Sequence, residues 1–398
     1  MKPKIAFVCQ RYGPEVNGGS EQYCRQVAEA LSDRYDVTVY TTCAMDYITW
    51  ANSYVAGESE IQGVKVQRYP VEKTRNRVVS ALVARLIRMT RWNTLRATWK
   101  WIDLQGPYCP ELIEALRREG TRYQAILFMT YLYYPTARGM ELGLPHSILI
   151  PTVHDEPPAR FRCYDQVFEN AKGIVWNSPE EREYGYSRFP SIRTTKSVMA
   201  GIGIQKPAGP LPELPENLRG KRYLVYAGRI AESKGCDEML SFFRKYKQTH
   251  PGELKLVLMG KAAMPIPEDP DILQLGFVSE EMKWAVMAGS VALALHSRFE
   301  SLSMVALESM MSGRPILVSS HCEVLKGHCQ RSGAGYSFSN YREYEAVVGK
   351  LLENSEQADE MGKKGIAYVT ENYQWESILQ KYEGIIQTVS HDGDCFFA

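Results

Sequence analysis

The chain has 398 residues, 44% of them hydrophobic, with 47 Lys or Arg against 46 Asp or Glu. A net charge of +1 excludes a global attraction to nucleic acid, and the length predicts two domains of about 150–200 residues, each with a substantial core. Nine scattered cysteines read as reduced thiols of a cytoplasmic enzyme rather than a secreted disulfide framework.

The N-terminus leads into a five-residue apolar run, Ile5 to Cys9, too short for a signal-peptide core or a membrane span. Lys4 to Cys9 reads as a strand and Gln10 to Ser20 as a loop carrying Pro14, Asn17, Gly18 and Gly19. Glu21 to Leu31 follows as a helix with Val27, Ala28 and Leu31 on its apolar side, then Asp36 to Thr41 as a parallel strand. This βαβ opening predicts a doubly wound sheet. The Gly-x-Gly-x-x-Gly fingerprint of a dinucleotide-binding unit is absent after the first strand; Gly18-Gly19 stand before the helix instead.

Lys73 to Lys100 holds eight Lys or Arg and no acid. Val79, Leu82, Val83, Leu86 and Ile87 line one helical face, with Arg77, Arg85, Arg88 and Arg91 on the other, and Trp92, Trp99 and Trp101 follow. A basic amphipathic helix with tryptophans predicts contact with an anionic membrane.

Further strands are predicted at Val64 to Tyr69, Ala125 to Met129, Ser147 to Val153 and Gly173 to Trp176. The third of these runs into His154-Asp155-Glu156 and a Pro-Pro stop, which places a polar cluster at a strand's carboxyl end. Asn177 and Ser178 tip the fourth. Lys206 to Arg219 is Pro-rich and short of large apolar residues, the composition of a linker.

The second half opens with Tyr223 to Ala227, a β-rich run broken by Gly228, with Arg229 at its end, Lys234 a turn later, and a helix from Cys236 to Tyr246. A strand-to-helix turn in an α/β sheet is where ligands bind, and two cations there can neutralise a diphosphate. Strands are predicted at Leu254, Ile272, Val291 and Pro315. Between the last two lie Glu300 in a loop and Glu308 in a helix read from Ser301, with Gly313-Arg314-Pro315 as the stop. At about 1.5 Å per helical residue the two carboxylates stand roughly 10 Å apart, room for a sugar at one and a ribose at the other. The unpaired amides at the start of that helix, around Leu302 and Ser303, suit a phosphate.

Gly228-Arg229-x4-Lys234-Gly235, Glu300-x7-Glu308 with its Gly-x-Pro stop, and Gly18-Gly19-x-Glu21 together resemble the retaining GT-B glycosyltransferases, most closely glycosyltransferase family 4. The resemblance covers roughly residues 4 to 386. It implies two Rossmann-like doubly wound domains facing across a cleft: an acceptor-side domain over 1–205, a linker over 206–220, a nucleotide-sugar domain over 221–373, and a final helix over 374–398 crossing back. It also implies a metal-independent hexosyltransferase without a cofactor, using a UDP- or GDP-linked donor. The acceptor would be a glycan or lipid-linked molecule of cell-surface polysaccharide or glycolipid assembly, at the inner face of the membrane.

Carried over by position, Arg229 and Lys234 clamp the diphosphate, Glu300 orients the sugar, Glu308 holds the ribose, and His154 reaches toward the sugar. Gly18, Gly19, Gly228, Ser301, Leu302 and Ser303 supply backbone around the donor, and Phe277 and Val278 recognise the base by backbone. Two other readings stay open: a GT-B enzyme making sugar phosphates or disaccharides in central metabolism, and a catalytically silent nucleotide-sugar-binding subunit.

No metal site is expected. Asp269-Pro-Asp271 and Asp392-Gly-Asp394 match Asp-x-Asp literally but follow no suitable strand. His321-Cys322 and His328-Cys329 have zinc-like residue types in a segment that departs from the family's small, Gly-rich form.

Overall fold

The computed structural model of the protein describes residues 2–394, with side chains through Ser390. The chain divides into two compact units. The first comprises residues up to Ile202 together with those from Ile378 onward, and the second Gly203–Ser377.

The first unit is built on eight strands: β1 (Lys4–Val8), β2 (Asp36–Thr42), β3 (Gly57–Ile61), β4 (Val64–Tyr69), β5 (Ala125–Met129), β6 (Ser147–Ile150), β7 (Gly173–Trp176) and β8 (Lys196–Met199). They lie in the order β3-β4-β2-β1-β5-β6-β7-β8, and every pairing is parallel except β3 with β4. The inner strands are continuous apolar runs because helices cover both faces: β5 (Ala125-Ile-Leu-Phe-Met129) is buried at every position. The edge hairpin strand β3, Gly57-Glu-Ser-Glu-Ile61, is polar and mostly exposed, so no apolar pattern marks it in the sequence.

The long helix Trp375–Asp394 ends the described chain. From Ile378 it packs on the first unit. Tyr382 Oη meets Tyr23 Oη at 2.8 Å, Glu383 pairs with Arg34, and the Val389 side chain fills the space a Cβ on Gly173 would need.

The second unit carries β9 (Tyr223–Ala227), β10 (Lys255–Met259), β11 (Ile272–Gly276), β12 (Ala292–Leu295), β13 (Ile316–Ser319) and β14 (Gly335–Phe338). All pair in parallel, in the order β11-β10-β9-β12-β13-β14. This is a doubly wound sheet whose winding reverses between β9 and β12. Both units are therefore Rossmann-like, the pair of folds that makes up GT-B.

Two sequence expectations need correction. Residues 73–101 do not form one amphipathic helix. Asn76 caps a helix at Arg77–Met89, the chain breaks, and Thr94 caps a second helix at Leu95–Gln105. Trp99 and Trp101 are core residues, with the Trp101 indole N–H donating to Ser80 O at 3.1 Å, so only Trp92 of the three tryptophans is exposed. The first helix turns Ser80 and Ile87 inward and leaves Val79, Leu82 and Leu86 in solvent, with Arg77, Arg85, Arg88 and Arg91 also exposed. The helix read from Ser301 begins only at Met304, because Ser303 takes a left-handed conformation, φ 63° and ψ 75°, that interrupts it.

Among the described residues no helix is long and apolar enough to cross a membrane. The cysteines among them are free and buried.

Candidate active site

Neighbouring β9 and β12 flank the point where the second sheet reverses. Crossovers leave in opposite directions there, so the carboxyl ends of the two strands open a crevice. Arg229 and Lys234 follow β9, and Glu300 follows β12. The turn between Lys234 and the helix Cys236–Thr249 passes through Gly235 at φ +68°, where a Cβ would stand 2.2 Å from His296 O. Only glycine permits both that backbone and that approach. The close crossing brings Lys234 Nζ to 2.7 Å from Glu300 Oε1.

Two further bonds hold the turn to the end of β12. Ser297 Oγ donates to Lys234 O, and His296 Nδ1–H donates to Glu238 Oε2 at 3.1 Å. Burial lowers the His296 pKa although the Glu238 carboxylate opposes the shift. Arg229 is half-buried beside this turn, its carbonyl accepting from Tyr226 Oη at 2.8 Å. Gly228 donates its N–H to Met259 O, and Gly260 at φ +133° lets the neighbouring loop cross so closely that a Cβ would meet Gly228 O.

Glu308, inside the helix Met304–Met311, is buried and meets Lys283 Nζ at 2.9 Å; Lys283 also pairs with Glu280 at 2.7 Å. Burial pushes the Glu308 carboxyl above its ordinary pKa, and the Lys283 ammonium offsets this only in part. Burial also works against the Lys283 charge, but Glu308 and Glu280 together hold its pKa above the usual lysine value. Lys283 is a residue that the sequence reading missed; it lies 25 positions before Glu308, with no motif to mark it.

Ser301, Leu302 and Ser303 connect Glu300 to the helix, with Leu302 and Ser303 buried. Phe277 and Val278 follow β11, and Phe277 is 76% exposed.

In the first unit the helix Gly19–Leu31 starts from Gly18, where a Cβ would stand 2.2 Å from Glu21 Oε2. Glu21 is buried and accepts from Gln10 Nε2 at 2.8 Å, Arg11 Nε at 2.9 Å and Ser20 Oγ at 2.9 Å. Arg11 donates onward to Met45 O and Asn17 O. The acid of the Gly-Gly-x-Glu pattern thus braces the loop after β1, while Gly19 is exposed.

His154 follows β6, its Nδ1 3.4 Å from Glu156 Oε1, which accepts from Tyr131 Oη at 2.7 Å. Beneath it Glu181 accepts the backbone N–H of Val153 and of Asn177, tying the ends of β6 and β7 together, and burial pushes its carboxyl up to about 8. Ser178 caps the helix that carries Glu181.

Asp271 pairs with Lys255 and Lys247, and Asp269 with Arg244, while the Asp392 and Asp394 side chains lie outside those described. His328 is fully buried, bonded to Leu302 O and Tyr368 Oη.

Residues 214–368 match the family model described as glycosyl transferases group 1. This part of the chain belongs to that family. Spore coat protein SA of Bacillus subtilis (strain 168) is 23% identical over 284 residues, 60% of this chain and 73% of its own. The MMP alpha-(1->4)-mannosyltransferase of Mycolicibacterium hassiacum is 25% identical over 291 residues, 63% of this chain and 68% of its own. The structure of HepE from Anabaena superposes over 97% of this chain and 100% of its own, with a TM-score of 0.65 at 14% identity. The group 1 match spans Arg229, Lys234, Glu300 and Glu308, so the Lys234–Glu300 and Lys283–Glu308 pairs both lie inside the matched segment.

Proposed function

We propose that this glycosyltransferase is retaining and metal-independent, and moves a hexose-type sugar from a UDP- or GDP-linked donor to a glycan or lipid-linked acceptor of cell-surface polysaccharide or glycolipid assembly. The observation that carries the reading is the meeting of Lys234 with Glu300, 2.7 Å apart, at the reversal point of the second sheet. Breaking the anomeric C–O bond builds negative charge on the departing diphosphate. Fixed cations and amides already aimed there lower the barrier because they need no reorganisation. Arg229, Lys234 and the amides of Ser301 to Ser303 carry that load. Glu300 orients the sugar hydroxyls, Glu308 the ribose, and the backbone at Phe277 and Val278 the base. The acceptor oxygen replaces the diphosphate on the same face of the sugar, and its proton passes to the leaving diphosphate oxygen. HepE, crystallised with UDP and glucose, and the mannosyltransferase relative support a hexose donor. His154, Gly18 and Gly19 are assigned on the resemblance alone.

The helix Arg77–Met89 supports the acceptor side of this reading. Its exposed face presents Val78, Leu82, Leu86 and Met89, followed by Trp92, among exposed arginines and with no acid from Lys73 to Lys100. That combination suits an anionic bilayer carrying a lipid-linked acceptor.

Incubation with a panel of UDP-, GDP- and ADP-sugars, followed by slow donor hydrolysis, tests the reading. One donor should be cleaved well above the rest. Binding of a donor without cleavage of any would leave a silent nucleotide-sugar-binding subunit as the better account.

A further inference from the structure

His328 is fully buried in the helix Glu323–Ser332 and makes two specific bonds. Its Nε2 lies 2.8 Å from Leu302 O, and its Nδ1 lies 3.1 Å from Tyr368 Oη. A carbonyl oxygen only accepts, so Nε2 carries the proton and Nδ1 accepts from the tyrosine hydroxyl. Tyr368 Oη in turn accepts from Arg331 Nε at 3.3 Å. The relay runs one way, from the guanidinium through the phenol and the imidazole to a single backbone carbonyl. Burial lowers the His328 pKa to about 4, which keeps the ring neutral and the direction of donation fixed at physiological pH.

That carbonyl belongs to the peptide linking Leu302 to Ser303. A trans peptide is planar, with its C=O and N–H pointing in opposite directions. Holding Leu302 O against His328 therefore turns the Ser303 N–H to the side away from His328. Ser303 itself sits at φ 63° and ψ 75°, a conformation that costs a non-glycine residue on the order of 1–3 kcal/mol and persists only where its surroundings enforce it. Its hydroxyl is buried and has no hydrogen-bond partner among the described residues. The next two amides, of Met304 and Val305, open the helix Met304–Met311 ahead of the first bonded one, Ala306 N–H to Ser303 O at 3.0 Å.

We propose that His328 is a positioning residue of the donor site: through Leu302 O it aims the Ser303 N–H, and with it the start of the helix, at the diphosphate of the nucleotide sugar. The inference rests on the donor site proposed above. It places the origin of the strained Ser303 backbone 26 residues away, in a segment that departs from the Gly-rich form the family resemblance leads one to expect.

The test compares nucleoside diphosphates with monophosphates, since an amide aimed at the diphosphate should matter to the first and little to the second. Binding of UDP, UMP, GDP and GMP is measured by titration calorimetry on the full chain, for wild type and for His328→Phe, His328→Asn and His328→Gln. Phe keeps the ring volume without the donor, Asn is too short to reach Leu302 O, and Gln places an amide donor near the Nε2 position. The diphosphate-over-monophosphate preference of the wild type should fall about tenfold in the Phe and Asn variants and largely return in the Gln variant. A folded Phe or Asn variant that keeps the full preference overturns the proposal and leaves His328 a packing residue. Wild-type protein that binds neither UDP nor GDP defeats the donor site itself, a distinct result. Imidazole ¹⁵N shifts of the wild type need no variant: a protonated Nδ1 with a bare Nε2 would also overturn the proposal.

Discussion

Lys234 and Glu300, 66 positions apart in the chain, form an ion pair of 2.7 Å at the carboxyl ends of adjacent strands. Each holds the other in place across the crevice. On the function proposed above, a sugar diphosphate would bring hydroxyls for Glu300 and phosphate oxygens for Lys234, and the pair would mark where the two halves of the donor meet.

Arg229→Ala and Lys234→Ala are each expected to lower turnover roughly 100- to 1,000-fold, the effect of removing one preorganised donor to a developing charge. Arg229 and Lys234 are both part-exposed, so the melting temperature should move little. Near wild-type turnover in either folded variant would remove that residue from the site.

The Lys283–Glu308 pair should behave differently, because both side chains are largely buried. Lys283→Met strands a buried carboxylate and should cost on the order of 3 kcal/mol of stability. Lys283→Met with Glu308→Gln should restore most of that stability without restoring donor affinity. Stability and affinity recovering together would show that Glu308 does not contact the donor.

Acid should destabilise the protein partly through His328. Its folded pKa of about 4 lies below the ordinary value of 6.5, so the unfolded chain binds the extra proton between these limits. Stability from this group is complete above about pH 6.5 and is lost as pH falls toward 4, on the order of 3 kcal/mol in all. Thermal melts from pH 7 to pH 4.5 should fall less steeply for His328→Gln than for wild type. Parallel slopes would contradict the buried neutral ring.

Activity should survive excess EDTA if the protein's own cations neutralise the diphosphate. Complete loss, restored by magnesium or manganese, would shift that role from Arg229 and Lys234 to a metal ion.

Changing Arg85, Arg88 and Arg91 together to Gln should weaken binding to anionic liposomes by several kcal/mol at most, about 1 kcal/mol per residue, while leaving donor hydrolysis unaltered. Raised salt should weaken wild-type binding as the Debye length shortens. Co-sedimentation at low and physiological salt measures both. Wild-type protein that ignores such vesicles has no membrane contact at this helix.

The sequence alone determined the class of fold and singled out the cations and carboxylates that follow β9 and β12. Buried parallel strands read as unbroken apolar runs, and residues such as Arg229 and Glu300 sit at fixed offsets from those runs. Features whose logic is non-local were decided only by the tertiary structure. The edge strands β3 and β14 carry no strong apolar pattern because one side of each lacks a strand neighbour. Trp99 and Trp101 looked like surface anchors until the break after Met89 turned the second helix inward. Lys283 and His328 carry no local signal, since their partners Glu308 and Leu302 lie 25 and 26 residues away. Spacing along a chain reports the periodicity of one element; which side chain faces a given carboxylate or carbonyl is set by how elements pack, and packing is a property of the fold.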